Sequence, residues 1–182
     1  MADEPDRLID EILVLDCQSG REQALHALVK RWQKRFWRHA LYLTGNSEAA
    51  WDVTQESWLG IVRGISKLRQ PARFREWGFR IVTNKARDWI KTKQRTTALA
   101  LDNASTPEAV GELDGTSDSA DVLYVLGRLT PDSRVILTLY YFEGLQVRDV
   151  AEVLGIPIGT AKSRLHKARN EFREVWQTLC DQ

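Results

Sequence analysis

The chain contains few of the side chains that build metal sites. Only two cysteines and three histidines occur among its 182 residues. Cys17 and Cys180 stand near opposite ends of the sequence, and the histidines are scattered without ligand spacing. Because a metal site needs several such ligands at short recurring spacings, the sequence predicts no metal site.

Catalytic and membrane motifs are also missing. The chain has no acidic cluster with metal-ligand geometry, no nucleophile beside a partner base and no glycine-rich phosphate loop, so we predict no catalytic residues, no cofactor and no enzymatic activity. Residues 1–6 are acidic where a secretory signal would be basic and then apolar. The longest apolar run, residues 135–142, is too short to cross a bilayer. These absences favour a cytoplasmic protein without membrane insertion.

Sheet-like alternation of apolar and polar residues is absent as well, and almost every periodic segment has helical spacing. The sequence therefore predicts an all-α fold. The clearest helix runs over about residues 21–43 and ends at Gly45. The next helix is predicted to begin with Ser47 as its N-cap and to bury Trp51 on its apolar stripe. A third helix is predicted over about residues 74–93.

These helices indicate two small helical domains, over residues 21–95 and 121–182. The segment 96–120 is acidic and poor in large apolar residues, so burial cannot offset its ordering entropy, and we interpret it as a flexible linker. Residues 1–20 form an acidic extension or a short helix. In the second domain, a helix is predicted to begin at Thr130, whose hydroxyl would cap it.

Charge is distributed unevenly along the chain, although the formal net charge is only +1. Residues 63–95 contain eleven Lys and Arg side chains against two acids, Glu76 and Asp88. Basic residues return near the C-terminus. Such clustering favours contact with a polyanion such as nucleic acid.

The second domain ends in a helix-turn-helix pattern. A short helix over about residues 147–154 and a last helix over about residues 159–179 are separated by a tight turn at Gly155. The face of the last helix that is predicted to dock on its neighbour consists of Ala161, Leu165, Ala168 and Phe172. The opposite face, suited to DNA bases and phosphates, consists of Thr160, Ser163, Arg164 and Lys167. A solvated amphipathic helix that closes a small bundle is the simpler alternative.

The run from Gly159 to Arg169 closely resembles the recognition helix of extracytoplasmic-function (ECF) sigma factors, the subunits that select promoters for bacterial RNA polymerase. In that family this helix reads the minus-thirty-five promoter element. The resemblance implies that the base and phosphate contacts are Lys162, Ser163, Arg164 and Lys167. It also implies that Thr160 and Arg169 position the helix on the DNA backbone.

Acidic and amide side chains share one face of the second helix. Asp52, Gln55 and Glu56 lie at helical spacing beside Leu59, and ordinary solvation would explain the trio if it stood alone. The fuller string over residues 50–59 resembles the sigma-factor segment that grips the coiled coil of the polymerase clamp. By this resemblance, the four residues bind core RNA polymerase.

The third helix carries a basic face with one amide and nearby aromatic rings, which suits unstacked DNA, although solvated charge is again the alternative. The string over residues 77–88 is similar to the family pattern that melts and reads the minus-ten element. The contacts implied are Arg73, Trp77, Arg80, Asn84, Arg87 and Lys91. Two residues depart from the family pattern. Gly78 replaces a large apolar residue, leaving a gap that we expect a tryptophan to fill, and Trp51 replaces a small or acidic one.

The resemblance implies a non-enzymatic, promoter-specific initiation factor. Such a factor binds promoter DNA and binds core RNA polymerase at the clamp and flap of the polymerase. It also implies an anti-sigma factor as a class of partner, although nothing in the sequence identifies one. The acidic linker is expected to thread the RNA-exit path of the polymerase. A stand-alone helix-turn-helix regulator is the main alternative, but the first half shows neither a ligand pocket nor a dimerisation helix.

Overall fold

The computed structural model describes residues 4–99 and 117–180, and the predicted all-α architecture of two helical domains is confirmed. The N-terminal domain contains α1 (Glu4–Gln18), α2 (Glu22–Thr44), α3 (Ser47–Gly64) and α4 (Phe74–Leu99). The C-terminal domain contains α5 (Ser117–Arg128), α6 (Pro131–Leu137), α7 (Val147–Leu154) and α8 (Ile158–Cys180). Most of the predicted linker lies outside the described residues.

Aromatic rings fill the core of the N-terminal domain. Phe36 is fully buried, with its ring centroid 5.4 Å from that of Phe79 and 5.3 Å from that of Trp32. A Cβ atom on Gly78 would lie 2.5 Å from Cζ of Phe36, so only glycine leaves room for this ring. The expected gap at Gly78 is therefore filled by Phe36, and the prediction of a tryptophan there is wrong.

Two local predictions in this domain need correction. Asn46, not Ser47, is the N-cap of α3, because its Oδ1 accepts a hydrogen bond from the Ala49 amide at 2.8 Å. Trp51 is 39% exposed instead of buried, with its ring resting on Trp37. On α1, the exposed large apolar residues are Leu8, Ile9, Ile12 and Leu15, whereas the buried positions of this helix are Asp10 and Val14.

The start of α6 is capped by a residue of α8. The carboxylate of Glu171 accepts hydrogen bonds from the Thr130 amide, from the Thr130 hydroxyl at 3.1 Å and from the Ser133 hydroxyl. Burial opposes ionisation of Glu171, but the hydrogen bonds from Ser133 and Thr130 outweigh it and lower its pKa. The Thr130 hydroxyl is thus a donor to Glu171, not the predicted cap of its own helix.

The helix-turn-helix forms as predicted. Helix α7 ends at Gly155, whose φ of 65° lies in the left-handed region that favours glycine. Ala161, Leu165 and Ala168 of α8 are buried, and Phe172 packs at the edge of the core. Docking of this face leaves the opposite side of α8 facing outward.

Candidate polymerase and nucleic-acid interfaces

The acidic face of α3 is exposed to solvent. Asp52, Gln55 and Glu56 are all exposed, and Leu59 is 57% exposed beside them. Glu56 also accepts a hydrogen bond from Nζ of Lys85 at 2.9 Å. The helix therefore presents two carboxylates, one amide and one apolar side chain on a single surface, which we call the α3 face.

Two apolar residues widen this surface and were not assigned to it from the sequence. Val62, one turn after Leu59, is 48% exposed, and Trp51 stands next to Asp52. Val62 had a sequence signal, because it follows Leu59 at a spacing of three residues on the same helix face. An exposed Leu, Val and Trp among charged groups are typical of the desolvated centre and polar rim of a protein interface.

The predicted minus-ten contacts on α4, together with Arg73 directly before its first residue, fall into two groups. Arg80, Asn84 and Lys91 are exposed, and their spacings of four and seven residues place them along one side of the helix. Arg73 and Arg87 are instead largely covered, with side-chain exposures of 28% and 25%. We call these five residues the α4 face. Trp77, the sixth predicted contact, is only partly exposed, since its indole lies against Gly64.

Carboxylates of the C-terminal domain hold the two covered arginines of the α4 face. Nη2 of Arg73 lies 3.0 Å from Oδ1 of Asp149 and 2.5 Å from Oε2 of Glu152. Nη2 of Arg87 lies 3.3 Å from Oδ1 of Asp132. These ion pairs join α4 to α6 and α7 across the interface between the domains.

The outward side of α8 carries the predicted duplex-reading residues. Lys162, Ser163 and Lys167 are exposed, whereas Thr160 and Arg164 are partly exposed. We call these five residues the α8 face. Nη1 of Arg164 lies 3.3 Å from Oδ2 of Asp132. The remaining predicted contact, Arg169, is exposed, and its Nε donates a hydrogen bond to the Tyr141 hydroxyl at 2.8 Å.

A buried carboxyl group, Glu143, lies at the centre of the domain interface. It is 1% exposed, and neither of its carboxyl oxygens accepts a hydrogen bond from the described residues. Burial raises the pKa of Glu143 to about 7, against the opposing effect of Arg35, Arg38 and Arg75. Burial also lowers the pKa of His39, 3.8 Å away, to about 3, so this imidazole is neutral and forms no ion pair with Glu143.

Direct hydrogen bonds and ring contacts complete the domain interface. Nη1 of Arg134 donates to the Leu43 carbonyl at 2.8 Å, which places a C-terminal-domain guanidinium at the end of α2. Arg75 donates to the Glu143 carbonyl. The rings of Tyr42 and Phe142 lie 4.6 Å apart between their centroids. The two domains are thus joined by buried polar contacts as well as by the ion pairs of α4.

Other kinds of site have little support in the described part of the chain. In residues 4–99 and 117–180, no group of three or more His, Cys, Asp or Glu side chains is arranged to hold a metal ion. Within the same ranges, each helix is too short or too polar to be a membrane span. An apolar groove does lie in the C-terminal domain, between Leu126, Phe142 and Trp176.

Both halves of the chain match known protein families. The model of sigma-70 region 2 matches residues 28–96, and the model of sigma-70 region 4 matches residues 119–172. The first match contains the α3 and α4 faces, and the second contains the helix-turn-helix.

Curated relatives carry the same assignment. The ECF RNA polymerase sigma factor SigC of Mycobacterium tuberculosis is 32% identical over 87% of this chain and 86% of SigC. The ECF RNA polymerase sigma factor SigE of Mycolicibacterium smegmatis is 31% identical over 81% of this chain. The chain spans 59% of the length of SigE and 41% of the length of RfaY, a probable RNA polymerase sigma factor of Xanthomonas campestris.

A solved structure agrees with the fold. CnrH, in complex with the cytosolic domain of CnrY, superimposes with a TM-score of 0.72 at 26% identity, over 93% of this chain and 98% of CnrH. With two family models and a relative above 30% identity in agreement, the chain belongs to the ECF class of RNA polymerase sigma factors.

Proposed function

We propose that this protein is a promoter-specific transcription initiation factor. It binds core RNA polymerase, recognises the minus-thirty-five and minus-ten promoter elements and helps to melt the promoter. The observation that carries the proposal is the presence, in one chain that matches both sigma regions, of an exposed acidic face on α3 and exposed basic faces on α4 and α8. No bond chemistry is assigned to this chain.

The α3 face is the proposed contact with the clamp of the polymerase. The carboxylates of Asp52 and Glu56 pair with basic side chains of the coiled coil, and Gln55 adds hydrogen bonds. Leu59 supplies apolar area that loses its water on binding. The exposure of these side chains supports the proposal, since docking requires only that the Glu56 carboxylate leave Lys85.

The α4 face is the proposed site for the opened minus-ten strand. Arg80 and Lys91 attract the phosphates, while the amide of Asn84 can both donate to and accept from an exposed base edge. The partly exposed ring of Trp77 offers an apolar surface beside them. This combination favours single-stranded DNA, in which base edges are not occupied by pairing.

The α8 face is the proposed reader of the minus-thirty-five duplex. Arg164 can bind a guanine edge through two N–H groups, and Lys162 and Lys167 provide point charges for guanine or phosphate. The hydroxyls of Thr160 and Ser163 reach either kind of acceptor. We include Arg169 as a backbone contact, held near the helix by Tyr141.

Two further partners follow from the family. The polymerase flap is proposed to bind the C-terminal domain, which offers the apolar groove beside Leu126 and Trp176. An anti-sigma factor is proposed as a regulator by the same family resemblance, and the superimposed CnrH was solved with a bound protein partner, the cytosolic domain of CnrY. The proposed site of action is the cytoplasm, where promoter DNA and polymerase meet. The acidic linker is proposed to follow the RNA-exit path of the polymerase.

Run-off transcription on a library of genomic fragments tests the proposal. Discrete transcripts are expected only when core polymerase and this protein are combined. Strong sequence-specific binding to duplex DNA by the protein alone, with no transcripts in the combined reaction, would instead favour a stand-alone helix-turn-helix regulator.

A further inference from the structure

The apolar groove of the C-terminal domain is large enough to hold a small molecule. Its cavity volume is about 600 Å³, and its walls come from α5, α6, α8 and the turn over Thr138–Phe142. Small-molecule sites are typically clefts of about 300 to 1,000 Å³ that are lined mainly by apolar and aromatic side chains. The groove therefore has the size and the lining of a ligand site.

The apolar walls of the groove extend from the core of the domain to its surface. Leu126 and Leu137 are buried, whereas Trp176 is 36% exposed. The rings of Phe172 and Trp176 are stacked, with their centroids 6.1 Å apart and their planes inclined by 10°. A hydrocarbon chain that covered these side chains would remove apolar area from water.

Two guanidinium groups line the groove, and none of its lining residues in the described part of the chain is acidic. Arg169 donates through Nε to the Tyr141 hydroxyl and lies over the rings of Tyr140 and Tyr141, 5.4 Å and 5.6 Å from their centroids. Nη1 of Arg173 donates to Oδ1 of Asn170 at 3.3 Å. Neither arginine forms an ion pair with a carboxylate within residues 4–99 and 117–180. The groove thus has positive charge that no described acid neutralises.

This combination is complementary to an amphipathic anion, in which a charged group is joined to an apolar body. A carboxylate can accept two parallel hydrogen bonds from one guanidinium, and the apolar body adds the free energy of burial. Arg169 and Trp176 are seven residues apart on α8, which corresponds to about 10 Å along the helix axis. An acyl chain of medium length can therefore reach from the guanidinium groups to the indole.

We propose that the apolar groove binds a free carboxylate that carries a medium-length acyl chain. The carboxylate pairs with Arg169 and Arg173, and the chain lies along Phe172 and Trp176 toward Leu126. Because the polymerase flap is proposed to bind the same groove, the bound carboxylate competes with the flap. This competition rests on the proposed function, whereas binding of the carboxylate to the isolated protein does not.

The test titrates octanoate into the full chain and measures affinity by isothermal titration calorimetry. Acetate and octanol are the controls, because each keeps one half of the ligand. Indole N–H signals in NMR spectra locate the site, since six of the seven tryptophans lie within residues 32–89 and Trp176 is the seventh. We expect one octanoate per chain with a Kd below about 1 mM, and a shift confined to the Trp176 signal, which Trp176→Phe identifies.

A pair of charge variants tests the role of the two arginines. Arg169→Gln with Arg173→Gln should bind octanoate about fivefold to twentyfold more weakly, because two exposed charge-assisted contacts are lost. The matched control is Arg148→Gln with Lys162→Gln, which removes two positive charges from exposed positions elsewhere in the domain. Its affinity should stay within about twofold of the parent protein.

A filled groove supplies a test without any change of charge. Val122→Trp places an indole in the groove and should abolish octanoate binding. Equal affinity for octanoate and octanol, equal loss in the two charge variants, or an unmoved Trp176 signal would each overturn the proposal.

Run-off transcription with core polymerase separates failure of this inference from failure of the proposed function. Octanoate should inhibit transcription near its Kd, and Arg173→Gln should require about twofold to fivefold more octanoate. If octanoate binds at Trp176 but leaves transcription unchanged, the ligand site stands and the flap assignment is wrong. If the Trp176 signal does not move while transcripts form, the ligand site is wrong and the proposed function stands.

Discussion

Helices α4 and α8 both carry a row of basic residues that we assign to DNA, but their surroundings differ. On α8, Lys162 and Lys167 are exposed, and Arg164 is the one residue of the five whose ion pair reaches a different helix in the described part of the chain, through Asp132. On α4, two arginines are held by acids from the other domain. Two similar charge patterns therefore differ in availability, which depends on how the domains pack.

A single substitution should disrupt the aromatic core of the N-terminal domain and leave the core of the C-terminal domain intact. Gly78→Leu forces a side chain into the space of Phe36 and should destabilise the N-terminal domain by about 3 kcal/mol. The described ring contacts of Phe36 all come from the N-terminal domain, so the C-terminal domain should unfold as before. Urea unfolding followed by tryptophan fluorescence, with Phe36→Ala added to relieve the clash, measures the effect. Unchanged stability of the single variant would contradict the packing described.

The α3 face should affect polymerase binding without affecting DNA selection. Asp52→Ala with Glu56→Ala removes two charge-assisted contacts at a proposed interface and should weaken core association by at least about tenfold. Lys162→Ala with Arg164→Ala is the matched control on α8, and it should spare core association but lower promoter selectivity. Binding of labelled protein to core polymerase measures the core association of each variant, and run-off transcription measures promoter selectivity. Equal loss of core association in the two variants would contradict the assignment of polymerase binding to the α3 face.

Capping of α6 by Glu171 should stabilise the C-terminal domain alone. Glu171→Gln weakens three hydrogen bonds and should lower the free energy of unfolding by about 1 kcal/mol. The pKa of Glu171 is lowered in the folded protein, so its contribution is present above the ordinary pKa of 4.5 and is lost as the pH falls through the lowered value. If the free energy of unfolding of Glu171→Gln falls with acid as steeply as that of the parent protein, capping of α6 by Glu171 is wrong.

Domain closure should respond to pH through Glu143. Burial raises the pKa of this carboxyl to about 7 when the two domains are packed together, which we call the closed arrangement. Between about pH 4.5 and pH 7 the buried carboxyl therefore keeps a proton that an exposed carboxyl of pKa 4.5 has released. Closure is therefore favoured by acid and weakens as the pH rises from about 4.5 to about 7. The groups facing Glu143 are Arg35, Arg38, His39, Tyr42 and Arg75.

Fluorescence energy transfer between one label in each domain, measured across that pH range, checks this expectation. Glu143→Gln should flatten the profile because it removes the titrating group while keeping its shape. A profile that is unchanged in Glu143→Gln would assign the pH response to another group. Closure that strengthens with rising pH would contradict the raised pKa.

The sequence predicted the helices and the faces they present, because periodicity and capping are local properties. The docking face of α8 and the exposure of Asp52, Gln55 and Glu56 follow directly from residue spacing. Trp51 was misplaced because its ring could rest on Trp37 at the surface, which helical spacing does not reveal. At Gly78, only the three-dimensional packing shows that Phe36 occupies the missing volume.

Contacts between the domains lie beyond the reach of sequence patterns. Arg73 and Arg87 fit the spacing of a DNA face, and nothing local marks Asp132 or Glu152 as their partners, 45 and 79 residues away. The burial of Glu143 is a similar case, because its neighbours come from α2 and α4. Long-range pairing of this kind has no periodic signature, so it appears only once the domains are packed.

The most direct test of the account is permanganate footprinting of opened promoter DNA in the holoenzyme. It asks whether α4 holds opened DNA while α8 reads duplex. Arg80→Ala with Asn84→Ala should abolish reactivity of unpaired thymines in the minus-ten region while upstream protection remains. Lys162→Ala with Arg164→Ala should weaken both signals together, with opening restored at high holoenzyme concentration. Normal opening in the Arg80 and Asn84 variant would contradict the division of roles between α4 and α8.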